Sequence, residues 1–381
     1  MKNNWQIRKL GEICDILDSR RKPITKRDRD FGTYPYYGAT GILDYVKDYL
    51  FDEKLILIGE DGAKWESGEN TAFAVEGRYW VNNHAHVIRP HKDTVLDDWI
   101  VFFFYSNDIT KYTSGLTVPK LNQASLRGIE IPIPSLDEQK RIVKILDEAF
   151  ENIKQAKENT EKNLQNARSL FESYSQSIFA NPGKDWEEKR IKEIGITQTG
   201  LTPKTANRDY YGDFVPFITP ADVDIFGDGS VRYDSKGLSE AGLRVGRGID
   251  RNSVLMVCIG ATIGKVGFAE QMVSCNQQIN TLTPGADFEP KLLYYILSTK
   301  SFFDKVIRAS SQATLPIINK GKWEELSVIY PKSLSEQKFI VAKLDALSAE
   351  ARKLEEIYTK KLADLEELKK SVLQKAFNGE L

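Results

Sequence analysis

The feature that most constrains the fold of this chain is a helix start that occurs twice. The segment SLDEQKRIVKILD begins at Ser135, and SLSEQKFIVAKLD begins 198 residues later at Ser333. Nine of the thirteen positions are identical. A serine followed three residues later by glutamate is typical of a capping box, in which the hydroxyl accepts a bond from an early helix N–H and the glutamate bonds back. Both segments are therefore predicted to begin helices.

Both predicted helices are long. Neither proline nor glycine interrupts residues 135–179 or 333–378, so each helix can extend for roughly 65 Å at about 1.5 Å per residue. Apolar and small residues recur at alternating steps of three and four, which favours a coiled coil. Two separate homodimerising helices would also fit this pattern, but a chain with two matching stripes more simply pairs them with each other. The predicted helix-pair interface consists of Leu146, Ile153, Asn163, Ala167, Leu170, Tyr174, Leu344, Ala351, Leu354, Tyr358, Lys361, Leu365 and Leu368.

Two polar residues, Asn163 and Lys361, occupy corresponding positions of the two stripes. A polar residue in an apolar seam fixes the register of a helix pair at some cost in stability. In an antiparallel pair centred on these residues, Ala167 faces Tyr358, so that a small side chain meets a large one and the seam packs without voids.

The repeat continues upstream of both helices. WQIRKLGEI at Trp5 resembles WEEKRIKEI at Trp186, and residues 116–134 resemble residues 313–331. Between these ends the two halves differ, with glycine-punctuated apolar runs such as KLILIG and SVLMVCIG that are typical of strands. The fold class is therefore α/β (α+β), with two globular domains that are each followed by a long helix. The predicted boundaries give a first domain at 1–134, a first helix at 135–180, a second domain at 181–332 and a second helix at 333–381.

Composition argues against several classes of protein. The longest apolar run, Trp99–Tyr105, is far shorter than the roughly 20 residues of a transmembrane helix, and the N-terminal residues do not resemble a targeting signal. Three scattered cysteines do not suggest a disulfide framework, so we expect the reducing cytoplasm. Because the net charge is −1, a nucleic-acid-binding role requires segregated charge. Such segregation occurs in Arg20–Arg29, which has six cations and one acid.

No catalytic, cofactor or metal motif is predicted. GATIGKVG (Gly260–Gly267) lacks the spacing and the Ser or Thr of a phosphate-binding loop. GEDGAK (Gly59–Lys64) contains carboxylates near a lysine, as nuclease sites do, but no further acidic ligand has a recognisable spacing. The three histidines His84, His86 and His91 have no cysteine nearby. His84 and His86 alternate along a predicted strand and so share one face, which favours a polar edge that faces DNA or a partner.

Amide-rich segments occur at matching places in the two halves, just before VIRP and TLTP. Asn and Gln can form two hydrogen bonds with adenine, and Arg or Lys can do so with guanine. Basic side chains also bind phosphates. The predicted DNA-binding residues are Arg20, Arg21, Lys22, Lys64, Asn82, Asn83, His84, His86, Lys120, Asn122, Lys204, Arg208, Lys265, Asn276, Gln277, Gln278, Asn319 and Lys320.

In their order along the chain, these motifs resemble the specificity subunit of type I restriction–modification systems over essentially the full length. The motifs that carry the resemblance are YPYYGATGI, LILIGEDGA, VNNHAHVIRP, VPFITPADV, CNQQIN and the two EQK helix starts. The resemblance implies that the chain is not an enzyme and binds duplex DNA, with each target-recognition domain reading one half of a bipartite sequence. It also implies that an antiparallel helix pair sets the spacer between the half-sites and docks two methyltransferase subunits.

The resemblance places the cofactors on partner subunits. S-adenosylmethionine is expected on the methyltransferase subunits, and ATP and magnesium on partner subunits that include restriction subunits; no membrane is involved. Two alternatives stay open. The chain could be the recognition part of a stand-alone restriction–methylation enzyme, whose catalytic polypeptide binds the same helices. It could also be a coiled-coil tether without DNA affinity, which would leave the matching polar segments unexplained.

Overall fold

The computed structural model describes residues 5–115, 119–224, 228–311 and 315–381. Residues 116–118, 313 and 314 of the repeated segments lie outside these ranges. The chain divides into two compact units: unit 1 comprises residues 1–161 and 360–381, and unit 2 comprises residues 162–359. The C-terminal residues therefore belong to unit 1. The predicted domain boundaries, which follow the sequence repeat along the chain, stay a prediction.

Unit 1 contains, within the described residues, two four-stranded sheets and a two-stranded sheet. One sheet has the order β2-β9-β6-β7 and the other β4-β3-β8-β5, while β1 pairs with β10. The strands are β1 (Gln6–Lys9), β2 (Cys14–Ile16), β3 (Phe31–Gly38), β4 (Gly41–Val46), β5 (Phe51–Asp52), β6 (Leu55–Gly59), β7 (Ala72–Val75), β8 (Arg78–Val81), β9 (Ala85–Pro90) and β10 (Glu130–Ile133). The helices are α1 (Leu10–Ile13), α2 (Asp97–Ser106), α3 (Gln123–Arg127) and the first part of α4 (Leu136–Ala180).

Unit 2 has sheets with the orders β12-β18-β15-β16, β14-β13-β17 and β11-β19. Its strands are β11 (Trp186–Arg190), β12 (Gly195–Thr199), β13 (Tyr211–Ile218), β14 (Gly237–Leu238), β15 (Ser253–Val257), β16 (Val266–Ala269), β17 (Ser274–Cys275), β18 (Ile279–Pro284) and β19 (Ser327–Pro331). Its helices are α5 (Ile191–Ile194), α6 (Glu240–Val245), α7 (Pro290–Leu297), α8 (Lys300–Ala309), α9 (Lys320–Glu324) and most of α10 (Leu334–Phe377).

The two units repeat one strand arrangement. β9 lies between β2 and β6 in unit 1, as β18 lies between β12 and β15 in unit 2. β3 is parallel to β8, and β13 is parallel to β17. The registers place Ile58 opposite His86 and Met256 opposite Asn280. The internal repeat predicted from the sequence is therefore confirmed. The strand registers also show which residue of unit 1 corresponds to which residue of unit 2 in segments where the two sequences differ.

Each unit has its own hydrophobic core around one central strand. The side chains of β6 and β15 are buried throughout, as expected for strands covered on both faces. The largest buried side chains include Trp99 in unit 1 and Trp323 in unit 2. Both apolar runs predicted as strands, KLILIG and SVLMVCIG, supply these central strands. Within the described residues, no helix combines the length and the apolar character needed to cross a membrane.

The two long helices start where the sequence predicts, but the capping box is only half formed. α4 and α10 begin one residue after the repeated serines. The hydroxyl of Ser135 lies 3.4 Å from the N–H nitrogen of Glu138, and the equivalent distance in unit 2 is 3.5 Å. The glutamates bond elsewhere, because Glu138 pairs with Arg141 and Glu336 accepts a bond from an indole N–H.

The glutamine of the repeated EQK motif holds the start of α4. Gln139 is completely buried. Its side-chain oxygen accepts a bond from the N–H of Leu96 at 2.9 Å, and its amide nitrogen donates to the carbonyls of Thr94 at 2.9 Å and Pro134 at 3.0 Å. These bonds connect the helix to the start of α2 and to the end of β10.

Unit 2 uses the same glutamine in the same way. Gln337 is also completely buried. It accepts a bond from the N–H of Glu289 at 2.8 Å, next to the start of α7, and donates to the carbonyl of Pro331 at 2.9 Å, at the end of β19. The repeated motif is therefore a buried junction between a sheet, a short helix and a long helix.

We expect Gln139→Met to destabilise unit 1 by roughly 2–4 kcal/mol, because Met fills the space but leaves buried N–H and C=O groups unpaired. Gln337→Met should have the same effect on unit 2. Peptide-resolved hydrogen exchange of the intact chain measures each unit separately. The control is Lys140→Met at the neighbouring exposed position, with a change expected within about 0.5 kcal/mol. Equal protection in Gln139→Met and Lys140→Met would contradict the anchoring role.

Candidate nucleic-acid interface

A completely buried histidine lies near the start of β9 in unit 1. The Nδ1 atom of His86 lies 2.6 Å from the carboxylate of Asp18, and its Nε2 atom lies 2.7 Å from the carbonyl oxygen of Leu121. Both ring nitrogens therefore face hydrogen-bond acceptors, an arrangement that suits an imidazole ring able to donate from both nitrogens.

Arg21 is a largely buried cation of unit 1, with a side chain that is 13% exposed. Its guanidinium lies 2.5 Å from the carboxylate of Glu60 and 3.3 Å from that of Asp18. It also donates to the carbonyls of Ala85 at 2.8 Å and Asn83 at 3.3 Å. We refer to Asp18, Arg21, Glu60 and His86 as the charge cluster, in which two carboxylates face a guanidinium and an imidazole.

The cluster keeps both of its carboxyl groups ionised. Burial on its own raises the pKa of Asp18 and of Glu60, because a low-dielectric surrounding disfavours charge. The bonds from His86 to Asp18, and from Arg21 and Lys120 to Glu60, outweigh burial and lower the pKa of both groups below their ordinary values. The Glu60 carboxylate in turn raises the pKa of Lys120, whose ammonium lies 2.9 Å away.

Three groups of the cluster have the spacing of metal ligands. Potential ligand atoms of Asp18, Glu60 and His86 lie within 4.8 Å of one another. The guanidinium of Arg21, however, forms ion pairs with both carboxylates, and His86 already bonds to a carboxylate and a carbonyl. These groups form an internal ion-pair network. The same bonds commit Glu60 of the GEDGAK segment, so the nuclease interpretation of that segment gains no support.

A tight turn connects β8 to β9 directly above the charge cluster. Asn82 is buried. Its side-chain oxygen accepts a bond from the backbone N–H of His84 at 2.8 Å, and its backbone N–H donates to the carbonyl of Tyr37 at 3.0 Å. Asn83 and His84 are exposed, and the His84 ring pairs with Asp61. We refer to these residues as turn 82–84. Its buried asparagine fixes the backbone, while the next two side chains are available at the surface.

Unit 2 builds the same turn from residues 276–278. The side-chain oxygen of Asn276 accepts the N–H of Gln278 at 3.1 Å, and the N–H of Asn276 bonds to the carbonyl of Ile218 at 3.0 Å. Gln277 is exposed, and its side-chain oxygen accepts the hydroxyl of Thr202 at 2.7 Å. We refer to these residues as turn 276–278.

The unit 2 residues that correspond to Asp18, Glu60 and His86 are neutral. Thr199 donates its hydroxyl to Asn280 at 2.8 Å, and the Asn280 amide lies 3.2 Å from the Cys258 sulfur. Burial raises the pKa of Cys258 to about 12, so the thiol stays neutral. We refer to these three residues as the neutral cluster. Strand registers and turn hydrogen bonds match Asp18 with Thr199, Glu60 with Cys258, and His86 with Asn280.

Three predicted DNA contacts face the interior of unit 1. The side chain of His86 is completely buried, Asn82 is 3% exposed, and Arg21 is enclosed by carboxylates and carbonyls. Direct contact of these three side chains with DNA does not fit the structure. The expectation that His84 and His86 share one face is wrong as well, because His84 precedes β9 and its ring is 51% exposed.

Other predicted contacts have structural partners. Asn122 and Asn319 cap the short helices α3 and α9, each accepting a backbone N–H at 2.9 Å. Lys120 pairs with Glu60 and Asp61, Lys320 pairs with Glu324, and Lys265 donates to a carbonyl at 3.5 Å. The predicted residues that are exposed are Arg20, Lys22, Lys64, Asn83, His84, Lys120, Lys204, Arg208, Gln277 and Asn319; Asn276 and Gln278 are partly buried. Arg20 and Lys64 pair with nearby glutamates.

In unit 1, the first part of α4 and the last part of α10 lie side by side in opposite directions. The Arg141 guanidinium donates to the Leu381 carbonyl at 2.7 Å, and Lys157 pairs with Glu366 at 2.7 Å. The two helix segments are therefore antiparallel. The predicted interface residues Leu146 and Ile153 are buried, and Leu365 is partly buried.

In unit 2, the rest of α4 pairs with the first part of α10. Arg168 and Glu355 form an ion pair at 2.9 Å. The predicted interface residues Ala167, Leu344 and Ala351 are buried, and Tyr358 is partly buried.

Six predicted interface residues are exposed, and in each case the following residue is buried or partly buried. An α-helix has 3.6 rather than 3.5 residues per turn, so its buried stripe drifts relative to a strict heptad repeat. The predicted polar seam is therefore wrong. The exposed residues are Asn163, Leu170, Tyr174, Leu354, Lys361 and Leu368, and the residues that replace them are Leu164, Phe171, Ser175, Glu355, Leu362 and Lys369.

Sequence inspection missed the acidic half of the charge cluster. Asp18 precedes the basic segment, and Glu60 follows the apolar run LILIG, where a single buried acid requires a buried cation. That requirement is the signal that could have identified Arg21 as an internal residue. The partner itself is 39 residues away in sequence.

Comparison with known proteins identifies relatives over both units. A family model described as "Type I restriction modification DNA specificity domain" matches residues 2–164 and 183–362. The type I restriction enzyme EcoDI specificity subunit of Escherichia coli is 22% identical over 415 residues, covering 99% of this chain and 89% of that protein. A putative type I specificity subunit of Haemophilus influenzae is 37% identical over 138 residues, covering 36% of this chain and 35% of that protein.

The first curated relatives are matched over only part of their length. The matched stretches of three of them span 35%, 42% and 50% of those proteins. One solved structure, from a study of complex assembly in a type I restriction–modification system, has a TM-score of 0.76 and 20% identity; the match covers 100% of this chain and 99% of that chain. At this identity, the likeness supports the fold of two globular units with two long helices.

We expect unit 1 to lose stability on acidification more steeply than unit 2. The pKa values of Asp18 and Glu60 are lowered in the folded state, so their contribution is present above about pH 4.5 and is lost as the pH falls through and below that value. Hydrogen exchange between pH 6 and pH 3, corrected for intrinsic rates, measures both units in one chain. Asp18→Asn with Glu60→Gln should reduce this pH dependence in unit 1. Identical profiles for unit 1 in both chains would contradict the assignment.

Proposed function

The chain belongs to the family of type I restriction–modification DNA specificity domains, and from this premise we propose that it is the DNA-binding specificity subunit of such a system. It recognises a bipartite duplex target, with unit 1 bound to one half-site and unit 2 to the other. The chain itself performs no catalysis.

The observation that carries this proposal is the repeated turn. Turns 82–84 and 276–278 have the same hydrogen bonds to the backbone, through Asn82 and Asn276. The side chains next to these asparagines differ between the units. A constant frame with different polar side chains is what two readers of two different half-sites require.

The exposed side chains suit contacts with duplex DNA. Asn83 and Gln277 each carry an amide, which can donate to and accept from one base edge. Exposed cations such as Lys22, Lys204 and Arg208 are suited to phosphates. In this proposal the amides provide sequence selectivity, while the cations provide affinity that depends on salt.

The helices α4 and α10 are proposed to dock two methyltransferase subunits and to set the spacer between the half-sites. The antiparallel contacts in unit 1 and the ion pair between the two helices in unit 2 support this role. S-adenosylmethionine binds to the methyltransferase subunits, and ATP and magnesium serve partner subunits, including restriction subunits. The cytoplasmic location expected from the cysteines belongs to the same proposal.

We expect Asn83→Ala and Gln277→Ala to relax recognition at different half-sites, each by about 1–3 kcal/mol, because each removes base contacts of one unit. Methylome sequencing of a host that expresses the chain with its methyltransferase subunits identifies the methylated sequences. Asn152→Ala, at an exposed asparagine of α4, is the matched control and should leave both half-sites unchanged. A host without the methyltransferase gene should show no methylation at the site. Relaxation of both half-sites by either variant would contradict the assignment of one turn to one half-site.

Shortening the helix pair should change the spacer and leave both half-sites unchanged. The Lys157–Glu366 pair makes residues 155–161 of α4 and residues 362–368 of α10 matched heptads. Deleting both heptads removes about 10 Å from each helix at 1.5 Å per residue, and about 3 base pairs at 3.4 Å each. Methylome sequencing reports the spacer directly. An unchanged spacer in a chain that still methylates would refute the role of the helices.

A further inference from the structure

Arg21 lies directly beneath turn 82–84. Its guanidinium donates to the carbonyls of Asn83 and Ala85, one within the turn and one immediately after it. With a side chain that is 13% exposed, Arg21 has little surface to offer to a phosphate. Its hydrogen bonds are made to the backbone that presents Asn83 and His84.

The rest of the charge cluster fixes the orientation of Arg21. Glu60 lies 2.5 Å away, and Asp18 lies 3.3 Å away while also facing His86. Lys120 binds the other carboxylate oxygen of Glu60 at 2.9 Å. Every charge is therefore paired, and moving Arg21 would leave two buried carboxylates short of a partner, which is costly.

Unit 2 has a neutral contact at the corresponding position. Cys14 lies opposite Pro90, and Gly195 lies opposite Pro284, so the seventh residue after each is Arg21 in unit 1 and Thr202 in unit 2. Thr202 also contacts its turn, by donating its hydroxyl to the side chain of Gln277 at 2.7 Å. The same position thus supports the turn in both units, through a charge in one and a hydroxyl in the other.

We propose that Arg21 is a positioning residue for recognition by unit 1, which holds turn 82–84 in the shape that presents Asn83 and His84 to base edges and does not itself bind phosphate. This inference rests on the proposed function. In unit 2 the neutral cluster replaces the charge cluster. Base discrimination therefore requires Arg21 only at the half-site that unit 1 recognises.

A phosphate contact and a positioning residue have different signatures. Loss of a phosphate contact weakens binding to every sequence and reduces the slope of log affinity against log salt by about 0.9. Loss of a positioning residue reduces discrimination at one half-site and leaves the salt slope unchanged. The exposed neighbour Lys22 provides the phosphate-type control in the same segment.

The experiment uses the full chain in complex with its methyltransferase subunits. We call the half-site that unit 1 recognises the first and the other the second. Its probes are four duplexes. One carries the consensus sequence that methylome sequencing identifies, two carry one substituted base pair in the first or in the second half-site, and the fourth has an unrelated sequence. Arg21→Met should reduce discrimination between the correct and the substituted base pair at the first half-site about tenfold, as expected for misplaced base contacts. Discrimination at the second half-site and the salt slope should stay unchanged. Thr202→Ala should affect the second half-site only, and Lys22→Met should weaken binding to all four duplexes.

A folding defect is distinguished by a second variant. Arg21→Met with Glu60→Gln removes one charge of each sign, and hydrogen exchange of β6 reports whether unit 1 stays folded. Loss of discrimination at the first half-site in this folded double variant supports the positioning role. Uniform weakening on all four duplexes, equal loss at both half-sites or unchanged discrimination overturns it. If the unmodified complex binds no bipartite duplex, the proposed function itself fails.

Discussion

The buried glutamine at the start of each long helix is the contact on which the rest of the architecture depends. Gln139 and Gln337 are each completely buried, and each joins the end of a sheet, the start of a short helix and the first turn of a long helix. A buried amide at such a junction must be hydrogen-bonded, because an unpaired polar group is costly inside a protein. This requirement explains why the EQK segment occurs twice while the globular parts of the two units diverge.

At corresponding buried positions, the two units pair their polar side chains by different interactions. The positions beneath the turns need polar groups that satisfy one another, and unit 1 uses ion pairs around His86 where unit 2 uses hydrogen bonds around Asn280. Ion pairs tie the stability of unit 1 to protonation, whereas neutral hydrogen bonds do not. Two halves of one pseudo-repeated protein can therefore respond differently to pH and to mutation, although their strands share one arrangement.

Within each turn, one residue fixes the backbone and the next is exposed at the surface. The turns keep a fixed backbone through Asn82 and Asn276, so exposed neighbours such as Asn83 and Gln277 can change without disturbing the fold. Several cations that suggested phosphate binding are instead part of the interior or pair with acids. The basic segment near residue 20 therefore contributes to the structure as well as to the surface.

The sequence by itself determined the repeat, the α/β class, both helix starts and the central strands, because capping residues, apolar runs and internal identity are local signals. It also placed amide-rich segments at matching positions of the two halves, where the structure has turns 82–84 and 276–278. Only the tertiary structure decided that Arg21, Asn82 and His86 face inward, because their partners Asp18, Glu60, Tyr37 and Leu121 come from distant segments. The helix seam was misplaced for a related reason. A heptad count accumulates a small angular error over each heptad, and packing against the neighbouring helix and the globular part decides which residue is buried; Phe171, for example, contacts Tyr295 of α7.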